Sequence, residues 1–139
     1  MTDESIYSLR PVGVVRSGLT RVEMAPMQGS EGAPEAWVEI ASEFVNALRG
    51  VSRGDELILL TWLHLSRRDV LEVYPRDDRT KPLTGVFATR SPDRPNPIGL
   101  HRVRVIDVEP ARLRVWPLEA IDGTPIVDVK PVLATSQDS

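Results

Sequence analysis

The feature that most limits how this chain can fold is its punctuation. Its 12 prolines and 9 glycines interrupt a 139-residue sequence so often that few stretches remain long enough for a helix of several turns. Proline has no N–H to give to a helix or a central strand, and glycine favours turns, so the chain is cut into short units. Between the cuts lie runs rich in β-branched residues at 6–16, 57–65, 83–89, 98–108 and 113–118, the composition of short strands. Only residues 43–48 read as a helix, with Phe44, Val45 and Leu48 near one side, Ser42 placed to cap the start and Gly50 to end it. Glu109-Pro110-Ala111 and Asp122-Gly123 are strong turn signals, implying a meander near the C-terminus. The fold expected is all-β, an antiparallel barrel with one short helix.

A chain of this length fits one domain, and residues 1–139 are read as a single unit. A hydrophobic fraction of 41% and a charged fraction of 27% are ordinary for a soluble protein, and no apolar run approaches the roughly 20 residues of a membrane-spanning helix. The acidic N-terminus lacks a signal-peptide pattern and there is no cysteine, so a cytoplasmic location is expected. Two histidines, His64 and His101, are too few and too unfavourably spaced for a histidine-based metal site, so no metal is expected. Net charge is −3, yet residues 61–116 hold 11 basic against 7 acidic side chains, leaving room for a local anion-binding surface. Residues 20–35 show no periodicity and include Met24, Ala25, Pro26, Met27 and Gln28: a functional loop or a mobile surface excursion. The polar tail at 135–139 is expected to fray.

The most informative stretch runs from Gly85 to Leu100, GVFATRSPDRPNPIGL. A strand leads into a loop in which Pro92, Pro95 and Pro97 fix φ, so the loop loses little entropy on binding. Arg90 and Arg94 stand beside those prolines, and guanidinium groups there can grip a carboxylate or phosphate with paired hydrogen bonds. The alternative is a proline-rich surface turn with solvated arginines.

GVFATRSP, RPNPIGL, DGTP and the D-x-K-P at Asp128-Val129-Lys130-Pro131 resemble, in order and spacing, the signatures of the TrmO (TsaA-like) family. Ala25-Pro26-Met27-Gln28-Gly29 and Leu60-Thr61-Trp62-Leu63-His64 resemble two further family segments, so the similarity covers residues 12–132. Asp55-Glu56 stands where the family often has Ser-His, and Val132 where it usually has tyrosine. The resemblance implies a β-barrel that binds S-adenosylmethionine without a Rossmann sheet, usually as a homodimer, and methylates N6 of threonylcarbamoyl-adenosine beside the anticodon of tRNA. The absence of a G-x-G-x-x-G fits that implication. A small metabolite or another nucleoside is the alternative acceptor, and a non-catalytic S-adenosylmethionine-binding module the alternative of another class.

Carried over segment by segment, the resemblance implies cofactor contacts at Pro26, Met27 and Gln28, at His64 and Leu65, at Arg90, at Leu100, and along Leu118, Glu119, Ala120 and Ile121. Arg90 suits the methionine carboxylate, the leucines and Ile121 suit adenine, and Glu119 suits the sulfonium. Arg94, Asn96 and Lys130 are the substrate-binding candidates. Candidates for handling the acceptor's proton are Asp128, Asp122 and His64.

Each of these has a plainer reading as well. His64 would share a strand face with Ile58, Leu60 and Trp62 as a half-buried structural histidine, and Asp122 would serve only the Asp-Gly turn. Trp62 reads as core. Asp128 and Lys130 alternate with Val127 and Val129 and so can pair on one strand face, bracing the barrel or orienting the acceptor. Arg102, Arg104, Arg112 and Arg114 alternate with apolar residues across the hairpin, giving either a solvated barrel exterior or a contact strip for tRNA phosphates.

Overall fold

The computed structural model describes residues 5–19 and 34–133. Its strands are β1 (Gly13–Arg16), β2 (Ala36–Ile40), β3 (Glu56–Trp62), β4 (Glu72–Val73), β5 (Thr84–Gly85), β6 (Ile98–Glu109), β7 (Arg112–Trp116) and β8 (Pro125–Pro131). Six of them close into an antiparallel barrel in the order β1-β2-β7-β6-β3-β8, while β4 and β5 form a small separate ribbon. Closure leaves the six-stranded sheet without an open edge. No helix among the described residues is long and apolar enough to cross a membrane.

Alternation decides what goes inside. Along β3, Leu57, Leu59 and Thr61 are buried while Ile58, Leu60 and Trp62 are only partly covered. Along β6, Gly99, His101, Val103 and Val105 point inward and Leu100, Arg102 and Arg104 outward. With Val15, Val38, Leu113, Val115 and Ile126 these inward side chains make the core. Burying each aliphatic side chain stabilises the barrel by roughly 1.5–3 kcal/mol. Residues Ser42–Leu48 form a 3-10 helix whose Phe44, Val45 and Leu48 pack against that core. Ser42 lies inside the helix rather than capping it: the preceding residue is Ala41, and no side-chain cap bond is made.

Several expected boundaries move. The first strand begins at Gly13, not residue 6, and Ile6 and Tyr7 are exposed. The run at 83–89 yields only Thr84–Gly85 before the chain turns into a 3-10 helix at Val86–Ala88. Strand β3 stops at Trp62, and Leu63 gives its N–H to the Pro97 carbonyl at 2.8 Å. Strand β2 was not anticipated, although Ala36, Val38 and Ile40 alternate with Trp37 and Glu39 in a clear period of two.

The expected meander is only half present. Pro110 and Ala111 turn β6 into β7 as a hairpin, and Gly123, at φ 85°, makes the second turn. Beyond that turn, however, β8 pairs with β3 and β1, on the opposite side of the ring from β7. The connection must therefore cross one end of the barrel, and it does so with Leu118, Ala120 and Ile121 buried. This crossing carries Glu119 to the place where function is sought below.

Candidate functional site

Beside the crossing segment lies a cleft of about 1320 Å³. Four stretches far apart in sequence form its walls: Leu63 to Ser66 after β3, Arg90 to Arg94, Ile98 to Arg104 on β6, and Trp116 to Ile121. The crossing segment supplies Glu119, Ala120 and Ile121; Leu60 and Glu56 extend the wall along β3.

The arginine loop holds its shape through one side chain. Arg94 gives Nε to the Ser91 carbonyl at 2.9 Å and Nη2 to the carbonyls of Thr89, at 2.6 Å, and Val86. Its guanidinium is thereby spent on carbonyls of the 3-10 turn and loop that follow β5. Thr89 Oγ1 also donates to the Val86 carbonyl and accepts from the Ser91 N–H. Arg90, four residues earlier, is exposed on the same loop and has no hydrogen-bond or ion-pair partner among the described residues.

A second arginine anchors the loop from outside. Arg68 stacks 5.1 Å from the Trp62 ring centroid, gives Nε to the Pro95 carbonyl at 2.7 Å and Nη2 to Asn96 Oδ1 at 2.9 Å. Trp62 is thus a half-covered platform for an arginine, not core as expected.

Charge in the cleft is sorted. Glu56 receives Arg102 Nη2 at 2.6 Å and lies 3.5 Å from Arg104 Nη2. The Arg102 guanidinium, by hydrogen bond and by charge, holds the Glu56 carboxyl below its ordinary range. Glu119 meets a histidine instead: its Oε1 accepts from His101 Nδ1 at 2.5 Å, and His101 Nε2 faces Thr61 Oγ1 at 2.6 Å.

The sequence-derived residues divide accordingly. His64, Leu65, Arg90, Arg94, Leu100, Glu119, Ala120 and Ile121 all line the cleft. His64 does so from an exposed turn beyond the strand, correcting its expected place on the face of Ile58, Leu60 and Trp62. Leu118 is fully buried in the barrel core and its side chain does not line the cleft, because alternation through the crossing segment turns it inward. Asn96 is held by Arg68 outside the cleft lining.

Asp122 lies elsewhere, in a second cavity of about 470 Å³ with Arg16 and Trp37, where its Oδ1 accepts the Ser17 N–H at 3.0 Å. Asp128 and Lys130 do pair, at 3.2 Å, but on an outer strand face; Asp128 stands across from Leu60 and neither residue lines the cleft. Pro26, Met27 and Gln28 lie outside the described residues. The four arginines of β6 and β7 all point outward, each facing an acid: Arg102 and Arg104 face Glu56, Arg112 faces Glu109 and Arg114 faces Glu35. Sequence reading passed over His101 and Thr61, whose signal was a polar residue in the inward phase of an apolar alternation.

The model of the tRNA-methyltransferase O N-terminal domain matches residues 14–138. This chain belongs to that family. A Methanothermobacter thermautotrophicus relative described as a probable S-adenosyl-L-methionine-binding protein is 44% identical over 131 residues, spanning 94% of this chain and 93% of its own. An Archaeoglobus fulgidus S-adenosyl-L-methionine-binding protein is 39% identical over 122 residues, covering 88% of this chain and 86% of its own. Among solved structures, TrmO from Pseudomonas aeruginosa superposes with a TM-score of 0.74 at 28% identity. That match covers 97% of this chain and 60% of the TrmO chain, so the protein spans about three-fifths of that relative's length.

Proposed function

We propose that the protein binds S-adenosylmethionine in this cleft and transfers its methyl group to N6 of threonylcarbamoyl-adenosine in tRNA. The observation that carries the reading is the convergence of four separate segments on one cleft with apolar walls, a guanidinium unpartnered among the described residues and a carboxylate that no described arginine faces. A ligand with a carboxylate, a cationic sulfur and a flat base matches that set. Many ligand pockets measure about 300–1,000 Å³, so a cleft of about 1320 Å³ has room for cofactor and acceptor base together.

When bound, the cofactor supplies an electrophilic methyl on a positively charged sulfur. Arg90 holds the methionine carboxylate, Leu65, Leu100 and Ile121 pack against adenine, and Glu119 faces the sulfonium. Pro26, Met27 and Gln28 complete the cofactor site, and the backbone at Leu118 and Ala120 borders it. The acceptor nitrogen is a poor nucleophile, since both ring and carbamoyl group withdraw its lone pair. Alignment by the rigid arginine loop is therefore the chain's main contribution. Of the three candidates for receiving the acceptor's proton, His64 alone lines the cleft, and we assign it that role over Asp122 and Asp128. Lys130 lies across the barrel surface as a contact for the tRNA backbone.

The protein acts in the cytoplasm as a homodimer in this reading, with the half-exposed Ile98 and Trp116 offered to a second copy. A second reading has one observation in its favour: the curated relatives carry only a cofactor-binding description. In that case the acceptor is a small molecule, or the domain binds without turnover. Nucleoside mass spectrometry of tRNA from a deletion strain separates the readings. Loss of methylated threonylcarbamoyl-adenosine supports the first, and an unchanged profile refutes it.

A further inference from the structure

His101 is 5% exposed and sits in the inward row of β6 with Gly99, Val103 and Val105, a costly place for an imidazole. It is tolerated because both ring nitrogens have partners: Thr61 Oγ1 at 2.6 Å on one side and Glu119 Oε1 at 2.5 Å on the other. Thr61 is fully buried, so this chain of groups starts inside the barrel, reaches the cleft wall at His101 and ends at its most exposed member, Glu119, whose side chain is 16% exposed.

Three features make this more than a satisfied core histidine. A hydroxyl can donate or accept, so Thr61 meets the Nε2 need of a neutral imidazole by donating and of an imidazolium by accepting. In both states Nδ1–H remains available to Glu119, and the carboxylate stays in place. Glu119 also comes from the crossing segment, between the buried Leu118 and Ala120, so its backbone is fixed as well as its side chain. Gly99, the glycine of the RPNPIGL segment, clears the space for the chain: a Cβ there would lie 2.4 Å from Thr61 Oγ1 and 2.7 Å from His101 Nε2.

Among the described residues the cleft holds one other carboxylate, Glu56, which Arg102 and Arg104 already face. Among the described residues Glu119 is therefore the cleft acid that no arginine pairs.

We infer that His101 is a positioning residue that, braced by Thr61, fixes the Glu119 carboxylate so that the cleft prefers a cationic sulfonium to the neutral thioether left after methyl transfer. The inference rests on the cofactor reading above. It gives the site a physical reason to bind S-adenosylmethionine and to release S-adenosylhomocysteine, two ligands that differ by a methyl group and one unit of charge. A fixed, partly buried carboxylate attracts a cation more strongly than a mobile, solvated one.

Calorimetric titration of the purified full chain with each ligand tests this without any turnover. Glu119→Gln is expected to weaken S-adenosylmethionine binding about tenfold and leave S-adenosylhomocysteine within about twofold. His101→Leu is expected to give the same selective loss, smaller in size. His101→Asn is expected to recover part of it, because an asparagine N–H can donate from near the Nδ1 position. Should His101→Leu fail to fold, as thermal denaturation would show, the Glu119→Gln ratio still decides. An equal loss for both ligands, or an unchanged ratio in Glu119→Gln, overturns the inference. Failure of the unaltered protein to bind either ligand overturns the cofactor reading itself, and the inference with it.

Discussion

Two ends of the same strands obey different rules in this barrel. Toward Val103 and Val105 the inward row of β6 is purely apolar, and its partners on β3 and β7, Leu57 and Val115, match it. Toward the cleft the same row becomes His101 and Gly99, with Thr61 opposite Gly99 on β3. Closure and alternation therefore settle which side chains face inward, while the chemistry at each level is free to vary. The apolar core lies at one level and the proposed recognition chemistry at the other.

The largest expected effect falls on the apolar level. Leu59→Ala, which empties a fully buried site, should cost about 2–5 kcal/mol in chemical denaturation. A loss under 1 kcal/mol would mean that the barrel does not depend on this core.

Next comes the arginine loop, where two residues of one type have opposite duties. Arg94→Ala removes three bonds to backbone carbonyls and should lower stability by roughly 1–3 kcal/mol while also weakening cofactor binding. Arg90→Ala should leave the melting temperature within about 1 °C and weaken S-adenosylmethionine about tenfold by calorimetry, as expected for a lost charge-assisted contact. If the two variants behave alike, the division between bracing and binding is wrong.

These paired arginines also show how far the sequence could be read. GVFATRSP and RPNPIGL point to the cleft segment, and period-two alternation points to the barrel. Yet nothing in the order of residues distinguishes Arg90 from Arg94, because the difference lies in which carbonyls the folded loop brings within reach. His64 lay beyond the strand end for a similar reason: the Leu63 N–H bonds to Pro97, contributed by a segment more than thirty residues later. Leu118 read as a cofactor contact along with the rest of the stretch from Leu118 to Ile121, and only the crossing of the barrel end reveals that alternation turns it inward. Asp122 and Asp128 carried family signatures but reached a second cavity and an outer strand face, since β8 returns to β3 and β1 rather than to β7.

Smaller effects belong to the outer surface. Lys130→Ala breaks an exposed pair with Asp128 and should change stability by less than about 0.5 kcal/mol. Arg102, first by hydrogen bond and then by charge, lowers the Glu56 carboxyl, so the fully ionised pair contributes above the carboxylate's unfolded value and is lost as pH falls through its lowered folded value. An acid titration followed by carboxyl-carbon NMR should place the Glu56 transition below that of an unpaired glutamate, and Arg102→Ala should raise it. No movement in Arg102→Ala would remove the proposed cause.

The most direct test of the central claim is amide chemical-shift mapping of the purified protein during titration with S-adenosylmethionine. The account predicts saturable shifts concentrated at Leu65, Arg90, Leu100, Glu119 and Ile121, with little change at Trp37 and Asp122 beside the smaller cavity. Shifts centred on that smaller cavity, or no saturable change anywhere, would contradict it.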